Sequence, residues 1–167
     1  MSASGTQAKS ESAGSPALRL FKRHGGSAAG RWLVSKLVCF KAPYFASIKP
    51  TLELLAPGRA IASIPHRRSV QNHIGTVHAI ALCNLAEFCG GLATDAAMTP
   101  ALRWIPKGMT VRYLRKATGM MRGEAILDEI GDIGPGAERI ARVSVRDPRD
   151  EIVFEAQIAM WLSPKKG

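Results

Sequence analysis

The chain has 167 residues, a net charge of +10, 46% apolar residues and only 6% aromatic ones. That is the length of one ordinary domain, with a mostly aliphatic core, and no run reaches the roughly 18 consecutive apolar residues of a membrane span. The three cysteines, Cys39, Cys83 and Cys89, form no CxxC pair, which argues against a zinc site or a disulfide framework and fits a reducing, cytoplasmic setting.

The charge is uneven. Residues 1–50 hold eight Lys/Arg against one acid, Glu11, so the positive excess sits in an N-terminal arm and points only weakly to an anionic partner. Residues 1–15 are rich in Ser, Gly and Ala, lack the apolar core of a secretory signal, and are expected to be a disordered tail. Residues 16–43 read as a helical segment packing on the domain: Ser15 caps Pro16, a first helix runs over 17–24, Gly25-Gly26 interrupts it, and a second runs over 28–40. In the second helix Trp32, Leu33, Leu37 and Phe40 are spaced to pack across the domain or a dimer; a basic helix lying on a membrane surface is the other reading.

The remaining chain, 44–167, reads as one domain. Strands are predicted over 48–55 and 59–64, joined by Ala56-Pro57-Gly58. A polar loop follows over 66–75, with His66 expected at the surface. Thr76 is then expected to cap a helix over 77–94 that is apolar nearly all round, and therefore buried. Four strands complete the chain, over 108–116, 120–130, 138–146 and 151–162. Their short connections predict an antiparallel meander. One buried helix against one curved antiparallel sheet is an α+β layer solution. A sheet that wraps a single long central helix is the hotdog fold, with the N-terminal helical segment as an addition.

The chemistry concentrates between Asn72 and Glu87. A buried helix start presents free backbone N–H groups and the positive end of the helix dipole, both suited to a developing oxyanion. The N–H of His78 or Ala79 lies there, and the small side chain of Ala79 lets a ligand come close. Asn72 has an amide that can orient a carbonyl or a water. Glu87 is a carboxylate on an otherwise apolar helix: either a structural acid that is paired, or one with a shifted pKa that serves as general base or nucleophile. Eight residues separate Ala79 from Glu87, or about 12 Å along the axis. If the two cooperate, the Glu must come from a second subunit whose helix runs antiparallel, so a homodimer is expected, with a tetramer left open.

These residues carry a resemblance. The segment Asn72, Gly75, Thr76, His78, Ala79, followed by Asn84 and Glu87, resembles the hotdog acyl-CoA thioesterases of the phenylacetate-degradation (PaaI-like) type. It is still more similar to an uncharacterised bacterial hotdog branch with an N-x-x-G-T-x-H-A segment and an N-x-x-E helix. In the PaaI-like pattern an acid follows the Asn by fifteen residues, as Glu87 follows Asn72. The resemblance spans about residues 45–163. It implies that Asn72 orients the water or the acid, that the Ala79 N–H polarises the thioester, and that the partner's Glu87 activates water. Gly75, Thr76, His78 and Asn84 would line the substrate site, with His78 shaping the turn or taking part in catalysis, and Asn84 lining the acyl pocket or bonding Glu87. Arg115 and Lys116 would contact coenzyme A phosphates or be a solvated basic strand end; Arg67 and Arg68 have the same two readings. Two departures stand out: Ala79 and Ile80 stand where the family has Gly-Gly, and the acid is Glu where Asp is commoner.

The expected activity is acyl-CoA hydrolysis, with coenzyme A as part of the substrate and no metal or other cofactor. The alternative is a protein that binds an acyl chain or acyl-CoA without turnover. A hotdog dehydratase fits the Asn72–Glu87 spacing poorly. Nucleic-acid binding lacks any motif, and membrane association is not expected.

Overall fold

A computed structural model describes residues 14–165. The expected tail lies outside the described residues up to residue 13. Ser15 is the N-cap of α1 (Pro16–His24), its hydroxyl accepting the Leu18 N–H at 3.2 Å. Ser27 caps α2 (Ala28–Lys41) in the same way, and a 3-10 turn spans Pro43–Ile48. The expected strand start at Ile48 is corrected. Lys49 takes a left-handed conformation (φ 48°) before Pro50, so β1 runs Thr51–Ala56. β2 covers Arg59–Ile64, α3 Ala79–Ala97, β3 Leu102–Tyr113, β4 Met121–Leu127, β5 Ala137–Arg146 and β6 Ile152–Pro164.

All strand pairs are antiparallel, in the order β1-β2-β4-β5-β6-β3, with α3 packed mainly on β2, β4 and β5. This is the hotdog arrangement. The meander contains three strands rather than the expected four, because β3 lies beyond β6 at the far edge. α3 carries the chain across the sheet to that edge, and the segment 114–120 brings it back to β4. A connection of turn residues therefore did not mean adjacent strands here.

The core is the inner face of the sheet against α3. In β6, Phe154, Ala156, Ile158, Met160 and Leu162 are buried in strict alternation, facing Leu85, Phe88, Cys89 and Leu92 of α3 within one apolar cluster. Two glycines permit close packing. A Cβ on Gly123 would lie 3.0 Å from Leu85 Cγ, and one on Gly90 would lie 2.9 Å from Ile158 Cδ1.

The two edges of the sheet differ. At β1 the N–H of Leu52 donates to Ser35 Oγ of α2 at 2.8 Å, so the N-terminal helices cover that edge. Leu18 of α1 and Val34 of α2 are buried in the core cluster. Among the described residues β3 pairs only with β6, and it leaves Ile105, Met109 and Tyr113 exposed. Among the described residues no helix is long and apolar enough to cross a membrane, and no cluster of three or more His, Cys, Asp or Glu is placed to hold a metal ion.

Candidate functional site

The loop between β2 and α3 is built around its own polar side chains. Asn72 Oδ1 accepts the N–H groups of Ile74 and Thr76, both at 3.1 Å, and its Nδ2 donates to Thr76 Oγ1 at 2.7 Å. The Asn72 N–H donates to the Thr76 carbonyl at 2.9 Å, and Gly75, at φ 79°, makes the reversal that closes this turn. The Asn72 oxygen is thus committed to the loop, and one N–H of its amide is left over. Gly75 is exposed and Thr76 buried, and Thr76 is not the helix cap.

That place belongs to His78, which corrects the expected helix of 77–94 to Ala79–Ala97. The His78 Nδ1 accepts the Ile80 N–H at 3.1 Å, while its backbone N–H donates to the Val70 carbonyl at 2.8 Å. The N–H of Val77 donates to the Ala117 carbonyl at 2.8 Å. With these donors occupied, the Ala79 N–H is the group of the first turn that has no hydrogen-bond partner among the described residues.

His66, expected at the surface, ties the loop together instead. Its Nδ1 accepts the Gly119 N–H at 3.0 Å, which leaves the hydrogen on Nε2, 3.0 Å from the Gly75 carbonyl and 3.1 Å from the Gln71 amide. The ring bridges the site loop to the segment that follows β3. Sequence reasoning missed this role because the partner lies 53 residues away.

Glu87 is half-buried and forms no hydrogen bond or ion pair among the described residues. It lies on the flank of α3 that faces β3. One turn before it, Cys83 Sγ meets the Tyr113 hydroxyl at 3.3 Å; one turn after it, a Cβ on Gly91 would lie 3.0 Å from the Trp104 ring. The bond to Cys83, with some burial, pushes the Tyr113 phenol up to about 12, so it is neutral at pH 7. Burial likewise pushes the Cys89 thiol up to about 12 on the inner face of α3, so that cysteine is a core group rather than a nucleophile. Glu87 also lines a groove of about 410 Å³ between α3 and the N-terminal helices, shared with Leu37, Val38 and Phe45.

Asn84 is buried (6% exposed), and its Nδ2 donates to Ser47 Oγ at 3.1 Å. It does not bond Glu87. Its Oδ1 has no partner among the described residues, and Asn84 borders a small polar cavity of about 180 Å³ beside His78, Tyr44 and Gln71. Arg115 and Lys116 lie just past the end of β3, both exposed. Arg115 pairs with Glu151 at 3.3 Å, whereas Lys116 has no ion pair among the described residues. Arg67 donates to the Ser47 carbonyl, and Arg68 is exposed.

Within one chain the structure brings together Asn72, Gly75, Thr76, His78 and Ala79. It keeps Glu87 apart from them, two turns along the same helix.

A family model described as a domain of unknown function (DUF4442) matches residues 30–162. No curated protein matches the chain. Among solved structures, a structural-genomics crystal structure is 41% identical over 89% of this chain and 98% of its own, with a TM-score of 0.77. A Pseudomonas aeruginosa protein of unknown function, described as a probable thioesterase, is 30% identical over 80% of this chain and 95% of its own, with a TM-score of 0.71. A thioesterase from Haemophilus influenzae is 13% identical over 72% of this chain and 82% of its own, with a TM-score of 0.65, a likeness of fold alone.

Proposed function

The chain belongs to the hotdog-fold DUF4442 family, and from that premise we propose that it hydrolyses acyl-thioesters, acyl-CoA among them, at a homodimer interface. The observation that carries this reading is an N–H at a helix start and a carboxylate on the flank of the same helix, neither with a partner among the described residues. The thioester carbonyl oxygen accepts the Ala79 N–H. The partner's Glu87 takes a proton from water as the water oxygen attacks the carbonyl carbon. The tetrahedral intermediate then collapses with cleavage of the C–S bond, the departing sulfur takes the proton that Glu87 accepted, and the acid and the free thiol leave with Glu87 again a carboxylate. Asn72 acts mainly by holding the loop that sets the Ala79 N–H.

Two features support a two-fold assembly. The separation of about 12 Å along α3 keeps Ala79 and Glu87 of one chain from meeting on one carbonyl. The β3 edge, unpaired on one side and bearing exposed Ile105, Met109 and Tyr113, is the kind of edge that proteins cover or pair. A second copy related by a two-fold axis covers it and brings an antiparallel α3 alongside. Lys116, and Arg115 once released from Glu151, are then available to phosphate groups of coenzyme A.

The second reading, an acyl-thioester binding protein without turnover, draws on Ala79, whose Cβ narrows the helix start where the resembling thioesterases carry glycine. Thiol release from a panel of short, long and aryl acyl-CoAs separates the two. Hydrolysis predicts release that falls at least a hundredfold in Glu87→Gln while the oligomeric mass in solution is kept. Saturable binding without release from any substrate supports the second reading, and a Glu87→Gln protein as active as wild type removes Glu87 from the mechanism.

A further inference from the structure

We propose that the groove between α3 and the N-terminal helices holds an unbranched aliphatic acyl chain of roughly eight to ten carbons, so that α1 and α2 set the substrate's chain length. The assignment of the chain to a thioester rests on the hydrolase reading above; the fit of an alkyl chain to the groove does not.

The groove, about 410 Å³, lies in the size range of small-molecule sites. Its walls are Leu20 of α1, Leu37 and Val38 of α2, Phe88 and Leu92 of α3, and Trp104 of β3. The lining along α3 begins at Glu87 and ends at Asp95, eight residues or about 12 Å of helix. Between those two carboxylates the floor is Gly91, which has no side chain and which the Trp104 ring approaches closely. A carboxylate at each end with apolar walls between them suits a tail that is apolar along its length. The Trp104 ring packs directly on Gly91, so the two form one flat apolar surface, and a slender tail lies along such a surface more readily than a branched one.

Direction follows from Glu87. A carbonyl beside this carboxylate has its carbon tail continuing along the apolar floor towards Asp95, while the thiol portion leaves on the open side. An extended chain with bonds of about 1.5 Å advances roughly 1.25 Å per carbon, so about 12 Å takes roughly nine or ten carbons. An aryl-acetyl group fills only the first half. α1 and α2 supply one complete wall, and the close face of that wall is the half-buried surface of Ala17, Leu20 and Val38.

The test uses S-alkyl-CoA thioethers, which bind but cannot be hydrolysed, from two to sixteen carbons, titrated calorimetrically into the full chain. Affinity should rise about fourfold per buried methylene, the equivalent of about 0.8 kcal/mol, and level off near ten carbons. Leu37→Trp places a larger ring in the wall from a residue that is 44% exposed, so the core is not disturbed. In that variant the plateau should arrive several carbons earlier, with the thermal midpoint retained. Ala17→Leu intrudes from the α1 side and should act likewise. Affinity independent of chain length, or an unmoved plateau in both variants, overturns the proposal. Length-dependent binding without any thiol release leaves the groove standing and removes the hydrolase reading. Glu87-dependent thiol release with a flat length profile does the reverse.

Discussion

Replacing Asn72 separates two roles that one side chain can play. Asn72→Ala deletes three hydrogen bonds, two from the backbone N–H groups of Ile74 and Thr76 and one to Thr76 Oγ1. Each is worth about 0.5–1.5 kcal/mol when made and lost in place. The loop is half-exposed and water takes over part of the loss, so the total should be about 2 kcal/mol. For a domain of this size that lowers the thermal midpoint by roughly 4–8 °C. Asn72→Asp keeps an oxygen for both N–H groups, and the Thr76 hydroxyl can turn to donate to the second oxygen. It should recover most of the stability. Thermal denaturation by circular dichroism, read beside thiol release, makes the comparison. If the loop is what Asn72 serves, Asn72→Asp keeps activity within about tenfold of wild type, while Asn72→Ala loses activity and stability together. An Asn72→Ala protein as stable as wild type refutes the hydrogen-bond argument. An Asn72→Asp protein that is fully stable yet inactive assigns the left-over amide N–H to the substrate.

Substitutions at three other positions probe the frame of the fold. His78→Ala removes the cap that accepts the Ile80 N–H and should cost about 1 kcal/mol, whereas His78→Asn, a favoured cap, should not; urea denaturation reads both. Gly123→Val forces a side chain against Leu85 and Cys89 and should cost about 1–3 kcal/mol; an unchanged urea midpoint would mean that α3 and β4 are not so close. Asp147 has a buried side chain. Burial pushes its carboxyl up, but the N–H groups of Glu151 and Arg149 and the Arg149 guanidinium outweigh that and hold it below the usual range. A carboxyl lowered in the folded state stabilises the fold above its unfolded value of about 3.9, and that contribution is lost as pH falls through the folded value. Wild type should therefore lose stability relative to Asp147→Asn below about pH 4, and parallel stability curves across that range would contradict the assignment.

Local chemistry made much of this protein legible in its sequence. Ser15-Pro16 and Gly25-Gly26 mark the ends of α1, β2 occupies the predicted 59–64, and the alternation in β6 names the residues that face α3. The all-round apolar character of α3 identified the buried helix, and with it the stretch where Asn72, His78, Ala79, Asn84 and Glu87 stand. Those signals depend on residues within a turn or two of one another, so no distant partner is needed to read them.

Only the tertiary structure decided where those groups go. β3 crossed to the far edge because α3 spans the sheet, and that places Glu87 beside an open edge. His66 found its partner at Gly119, and the two departures from the expected capping pattern, at Thr76 and His78, followed from how Asn72 folds its own loop. The groove beside Glu87 exists because α1 and α2 return over a helix some fifty residues further along the chain. Contacts of that range leave no periodic trace in a sequence, since each depends on packing that forms only when the whole sheet has closed around the helix.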